Sequence, residues 1–213
     1  MVITISGMIG VGKTTVAKAI AEELNSEVFL EKVDDSNPLL KLFYESSEEE
    51  NLRNRYPFLL QLFFLNTRFK SIKEALTAKN NVLDRSIYED WYFAKINKEL
   101  GRISDIEFNT YESLLNNMME EIDGMPKKAP DLMIYLYASF DTILKRIQRR
   151  NREYELDPNL KDYYYKLWEG YTDWINQCYN ASPVIMINMD DLDINNEKDK
   201  SYILNLVKEE LNK

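Results

Sequence analysis

Of 213 residues, 45% are hydrophobic and 30% charged, a balance suited to one globular domain with a sizeable core. A single cysteine, Cys178, excludes a disulfide framework, and the absence of histidine removes His-based triads and His-ligated zinc. With a net charge of −9, no apolar run of membrane-spanning length and a first strand starting at Val2, the expectation is a cytoplasmic protein with no signal peptide, membrane contact or nucleic-acid partner.

Val2–Ser6 alternates β-branched and small side chains and predicts a short buried strand. Gly7-Met8-Ile9-Gly10-Val11-Gly12-Lys13-Thr14 then fits GxxxxGK[ST]. Lys13–Leu24 follows with helical spacing, placing Val16, Ala19, Ile20 and Leu24 on one face. Strand, glycine loop and helix in that order form a concave anion site, so Gly7 through Thr15 are expected to wrap a triphosphate. Lys13 supplies a point charge, and the Thr14 hydroxyl can reach a magnesium ion.

A second strand is expected at Val28–Leu30, directly followed by Glu31. A carboxylate there faces the γ-phosphate region and can accept a proton from an attacking hydroxyl; an ordinary exposed strand-end glutamate is the alternative. Asn37–Phe43 reads as a helix and the acidic, polar Ser46–Arg55 as a loop. The helix predicted over Phe58–Ala78 is apolar nearly all round and should be buried, yet it carries Gln61 and Arg68 on one stripe. Gln61 offers both a donor and an acceptor to the edge of a nucleobase, while Arg68 can pair with Asp90 structurally.

The third strand, Asn81–Asp84, runs into Asp84-Arg85-Ser86. An acid at a strand tip can bind Mg²⁺ directly or through water, and the adjacent arginine can meet a phosphate; helix capping and an ion pair are the plainer account. Helices are expected over Tyr88–Leu100, with Asp90 in its first turn, and Asp105–Ile122, before a loop at Gly124–Pro130. The fourth strand, Leu132–Tyr137, leads to a helix over Asp141–Arg150. There Arg146 and Arg150 share a face and Arg152 lies just beyond, three guanidiniums suited to a lid of about residues 146–157 closing over phosphates. A helix over Leu160–Tyr179, a strand at Val184–Asn188, a solvated acidic connection at Asp190–Asp199 and a helix over Asp199–Leu211 complete the chain. Alternating strands and helices imply an α/β fold with a parallel sheet covered on both faces and ligands beyond the strands' carboxyl ends.

The loop, Glu31, Gln61 with Arg68, Asp84-Arg85-Ser86 with Asp90, and Arg146…Arg150-Asn151-Arg152…Glu155 together resemble the deoxynucleoside kinases. YPFLLQLFFLNTRFKSIKEAL, NNVLDRSIYED and TILKRIQRRNREYE are most similar to the bacterial deoxyadenosine/deoxyguanosine kinases, and the likeness weakens after about Asn188. The resemblance implies a P-loop kinase fold with a five-stranded parallel sheet, usually a homodimer. It implies transfer of the ATP γ-phosphoryl group, with Mg²⁺, to the 5′-hydroxyl of a deoxynucleoside; purines are favoured and deoxycytidine is compatible. By the same resemblance Glu31 is the general base and Arg85 its phosphate-orienting companion. Gln61, Arg68 and Asp90 read the base, Tyr44 and Glu155 hold the sugar 3′-hydroxyl, and Arg146, Arg150 and Arg152 form the lid. Four features depart from the family pattern: Val33–Pro38 runs one residue longer, the loop Ser46–Arg55 is extended, Asn151 stands where glycine is frequent, and Trp91 beside Asp90 is bulky. The rival readings are a nucleoside-monophosphate kinase, which shares the loop, and a non-catalytic nucleotide-regulated module. Asn97-Lys98-Glu99-Leu100 lacks the aspartate of a guanine-reading motif.

Overall fold

Ile3, Ile5 and their neighbours bury the first strand, β1 (Val2–Gly7), along its whole length. In the computed structural model, which describes residues 1–31, 33, 37–77, 80–123 and 129–212, it is the middle of a five-stranded sheet. The others are β2 (Glu27–Phe29), β3 (Asn81–Asp84), β4 (Leu132–Tyr137) and β5 (Val184–Asn188), in the order β2-β3-β1-β4-β5 and all parallel. Register sets Ile5 beside both Asp84 and Ile134, so the phosphate loop and Asp84-Arg85-Ser86 leave the sheet at adjacent carboxyl ends. Such sheets are buried on both faces, which is why these strands read as continuous apolar runs.

The helices are α1 (Lys13–Glu23), α2 (Pro38–Glu45), α3 (Glu48–Asn54), α4 (Tyr56–Thr77), α5 (Ile87–Glu99), α6 (Asp105–Asp123), α7 (Phe140–Arg150), α8 (Lys161–Cys178) and α9 (Glu197–Leu211). Alternate strand residues enter two apolar clusters. Ile3, Ile5 and Val82 pack with side chains of α1, α8 and α9, whereas Val2 and Leu83 pack with α4, α5 and α6. Helices thus cover both faces, as the alternation predicts. Among the described residues no helix is long and apolar enough to cross a membrane.

Two local expectations are corrected. Ser46–Arg55 contains α3 rather than loop: Ser47 and Glu50 form a reciprocal capping box, enough to start a helix with no buried residue. The long helix α4 is not enclosed all round. Leu60, Gln61, Leu65 and Arg68 are buried, but Leu59 is exposed and Phe58, Leu62, Phe63 and Phe64 are half-buried. Its predicted end at Ala78, most of Gly124–Pro130 and the centre of Val33–Pro38 lie outside the described residues.

Candidate active site

Gly7 has φ +142° and a Cβ there would collide with the Leu136 carbonyl oxygen. At Gly10 (φ +84°) a Cβ would stand 2.7 Å from Ile147 Cγ1. Both positions require glycine for space as well as torsion. The loop they shape opens on a cleft of about 440 Å³, lined by Ile9 through Thr15 but not by Gly7 and Met8, which lie behind it. Lys13 Nζ donates to the Met8 carbonyl at 3.0 Å. Burial, and after it the charge of Arg85, lowers the Lys13 pKa to about 7.

The Thr14 hydroxyl donates to Asp84 Oδ2 at 2.5 Å, while Asp84 Oδ1, buried, has no hydrogen-bond partner among the described residues. Burial raises the Asp84 pKa, with Lys13 opposing it. An orphaned carboxylate oxygen beside a hydroxyl fits a hard cation. No cluster of three or more acidic, His or Cys ligands occurs among the described residues.

Glu31, just past β2, lines the cleft with Gln61, Arg85 and Asp90. Its Oε1 accepts from Arg68 Nη2 at 2.7 Å and from Arg85 Nε at 2.9 Å. Burial pushes this carboxyl up, but Arg85, Arg68 and Lys13 outweigh burial and hold it at about 2. Arg68 lies behind the cleft surface and grips three elements. Besides Glu31, its Nε donates to Asp90 Oδ2 at 3.2 Å and its Nη1 to the Asp84 carbonyl at 2.8 Å. The expected Arg68–Asp90 pair is therefore present, extended to Glu31. Burial lifts the Asp90 pKa to about 6 against the pull of Arg68. Gln61 is 3% exposed and faces the same cleft.

On the opposite wall, Arg146 is committed to backbone: Nη1 donates to the Val11 carbonyl at 2.6 Å, and Nη2 to those of Met189 and Leu192 at 2.5 and 2.9 Å. It braces the phosphate loop against the segment after β5. That segment is solvated as expected at Asp191 and at 195–198, but not throughout Asp190–Asp199: Ile194 is buried, and Leu192, Asp193 and Asn195 line the cleft. Arg150 and Arg152 also line it, and both pair with Glu155, Arg152 at 3.2 Å. Tyr44, buried, stacks on Tyr154 with ring centroids 5.6 Å apart. Asn151 ends α7 at φ +56°, a left-handed cap natural to glycine, which accounts for its standing at a glycine position of the family pattern. Trp91 points its Nε1 at Glu112, 2.7 Å away on α6.

Sequence reasoning missed Glu89, whose carboxylate is fully enclosed and contacts the start of the loop and Arg85. The signal was available: Ser86-Ile87-Tyr88-Glu89 has capping-box spacing, and Glu89 lies one helical turn from Arg85. It missed Phe93 too, whose ring lies 4.5 Å beneath the Arg85 guanidinium. Asn97, read only for a motif it does not complete, is a core group that donates to the Phe93 carbonyl at 2.9 Å.

A profile described as deoxynucleoside kinase matches residues 3–212. A deoxyguanosine kinase of Lactobacillus johnsonii is 49% identical over 97% of this chain and 90% of its own. A deoxyadenosine kinase of Lactobacillus acidophilus is 45% identical over 99% of this chain and 96% of its own. Among solved structures, deoxyadenosine kinase from M. mycoides with bound dATP superimposes with a TM-score of 0.80 at 29% identity, covering all of both chains.

Proposed function

This chain belongs to the deoxynucleoside kinase family, and we propose that it transfers the γ-phosphoryl group of ATP to the 5′-hydroxyl of deoxyadenosine or deoxyguanosine in nucleotide salvage. The observation that carries the reading is Glu31, held by Arg68 and Arg85 in a cleft floored by the phosphate loop. The same reading makes the enzyme a cytoplasmic homodimer.

Lys13 and the loop amides hold the donor's phosphates, and Thr14 with Asp84 would hold a magnesium ion, which supplies charge neutralisation there. Gln61 and Asp90 receive the base, with amide and carboxylate suited to an amino-bearing purine edge, while Arg68 holds Asp90 from behind the cleft wall. Tyr44 and Glu155 hold the sugar. Arg150 and Arg152, together with Arg146 acting from its brace, balance charge spreading over the transferred group. Glu31 takes the 5′-hydroxyl proton as the oxygen bonds to phosphorus and ADP leaves. A carboxylate held near 2 is a weak base, which suits a loose transition state whose nucleophile becomes acidic only as the new bond forms. Its two ion pairs keep it charged at every working pH.

Glu31→Gln should leave ATP affinity intact and lower kcat on the order of 10²- to 10⁴-fold, the range of a lost general base. Coupled ADP release with a panel of deoxynucleosides and their monophosphates checks both points. Near-normal turnover removes Glu31 from the mechanism, and activity on monophosphates alone overturns the reading.

A further inference from the structure

We propose that Glu89 is a positioning residue for phosphoryl transfer, holding Arg85 and the mouth of the phosphate loop in one fixed relation. The inference rests on the kinase reading above, because it gives Glu89 a share in the reaction as well as in the fold.

The Glu89 side chain is wholly enclosed, and its oxygens accept from donors on separate stretches of chain. Oε2 takes the Ser86 N–H at 2.7 Å. Oε1 takes the Gly7 N–H at 3.2 Å, Arg85 Nη1 at 3.2 Å and the Tyr171 hydroxyl. The Ser86 bond alone would serve the first turn of α5. The other three converge on the site.

Arg85 divides its guanidinium between two acids, Nη1 on Glu89 and Nε on Glu31. Its backbone is held at φ +81°, a left-handed torsion that a bulky side chain keeps only when its surroundings impose it. Glu89 is part of that imposition. Without its charge Arg85 has one facing anion left and is free to settle toward Glu31, dragging the base off the line of attack. Because the Gly7 amide bonds to the same oxygen, the phosphate cradle and the arginine that fixes the base are referenced to a single atom. Tyr171 closes the arrangement from α8, the helix beyond the arginine-rich segment. Burial and then Glu89 raise its pKa, so it remains a donor, and its ring stacks on Tyr135 at 5.6 Å.

The wild-type chain is assayed first with ATP and deoxynucleosides; failure to phosphorylate any of them sinks the kinase reading, and this inference with it. Given activity, Glu89→Gln, which keeps the volume and removes the charge, should lower kcat on the order of 10- to 100-fold while the ATP dissociation constant stays within about threefold. Arg85→Lys should also lower kcat, and the double variant should lose little beyond Arg85→Lys alone, because Glu89 acts through Arg85. A purely structural role predicts a lower Tm with unchanged kcat per folded site, or losses that multiply; either result overturns the proposal. Should Glu89→Gln fail to fold, Tyr171→Phe decides, since it deletes the hydroxyl that donates to Glu89 and accepts from Arg85 Nη1 at 3.3 Å, and leaves both charges. A several-fold fall in kcat at unchanged nucleoside KM supports the assignment, and wild-type kcat overturns it.

Discussion

Lys13 sits in a loop shaped to receive anions, and burial, with the charge of Arg85 after it, leaves its proton loosely held, near 7 rather than the ordinary 10.5. Triphosphate brought against it restores the charged form. At pH 8, where the ligand-free group is largely neutral, ATP binding should therefore take up a proton, a fraction approaching one per site. Calorimetry in two buffers of different ionisation enthalpy reads this directly, and an identical binding enthalpy in both would refute it. The sign follows from the direction of the shift: uptake fades below pH 6, where Lys13 is already protonated, and the effect is absent in Lys13→Met. Residues such as Lys13, Glu31 and Asp84 were legible because motif and strand end fix them together. For Glu89 the spacing offered only a helix cap and a neighbour for Arg85; its burial was not legible, because an acid in a helical stretch normally faces water and this enclosure depends on α8 arriving from more than eighty positions downstream.

At the scale of elements, the short connections were the hardest to read. Strands β1 to β5 and the long helices carry apolar periodicity, and their ends fall within two residues of expectation wherever the structure describes them. Helix α3 carries no apolar face, only a capping box inside an acidic stretch, and so reads as loop. The segment after β5 looks solvated because of its aspartates, yet Leu192 and Ile194 fold inward and its carbonyls receive Arg146. The turn after α7 was more informative, since Asn151 is among the few non-glycine residues at ease in the left-handed region. Asn151→Val should destabilise the chain by about 1–2 kcal/mol, lowering Tm by about 2–8 °C, whereas Asn151→Gly should be neutral or stabilising. Scanning calorimetry of the pair checks this, and equal melting temperatures would contradict a left-handed cap.

Over the whole molecule, the sheet order brings the phosphate loop of β1 between the ends of β3 and β4, with Glu31 arriving past the outer strand β2. Alternation of elements made a parallel sheet legible, and the family resemblance its five strands; the order was not legible, because periodicity does not say which strands are neighbours. Two ligands meeting on one sheet edge should each stabilise the native chain. Saturation at 100 times the dissociation constant adds about 2.7 kcal/mol per ligand, or about 5–10 °C in Tm for a chain of this size. ATP and a purine deoxynucleoside should each produce such a shift in differential scanning fluorimetry. A shift with ATP alone would point instead to a nucleotide-regulated module without an acceptor site. The three-way grip of Arg68 on Glu31, Asp90 and the Asp84 carbonyl bears on how such an enzyme can diversify. On the proposed mechanism, base selection at Asp90 and proton transfer at Glu31 both depend on this guanidinium, so a lineage drifting toward another nucleobase could not rewrite Arg68 without loosening its own proton acceptor. Adaptation of that kind has to begin elsewhere on the cleft wall.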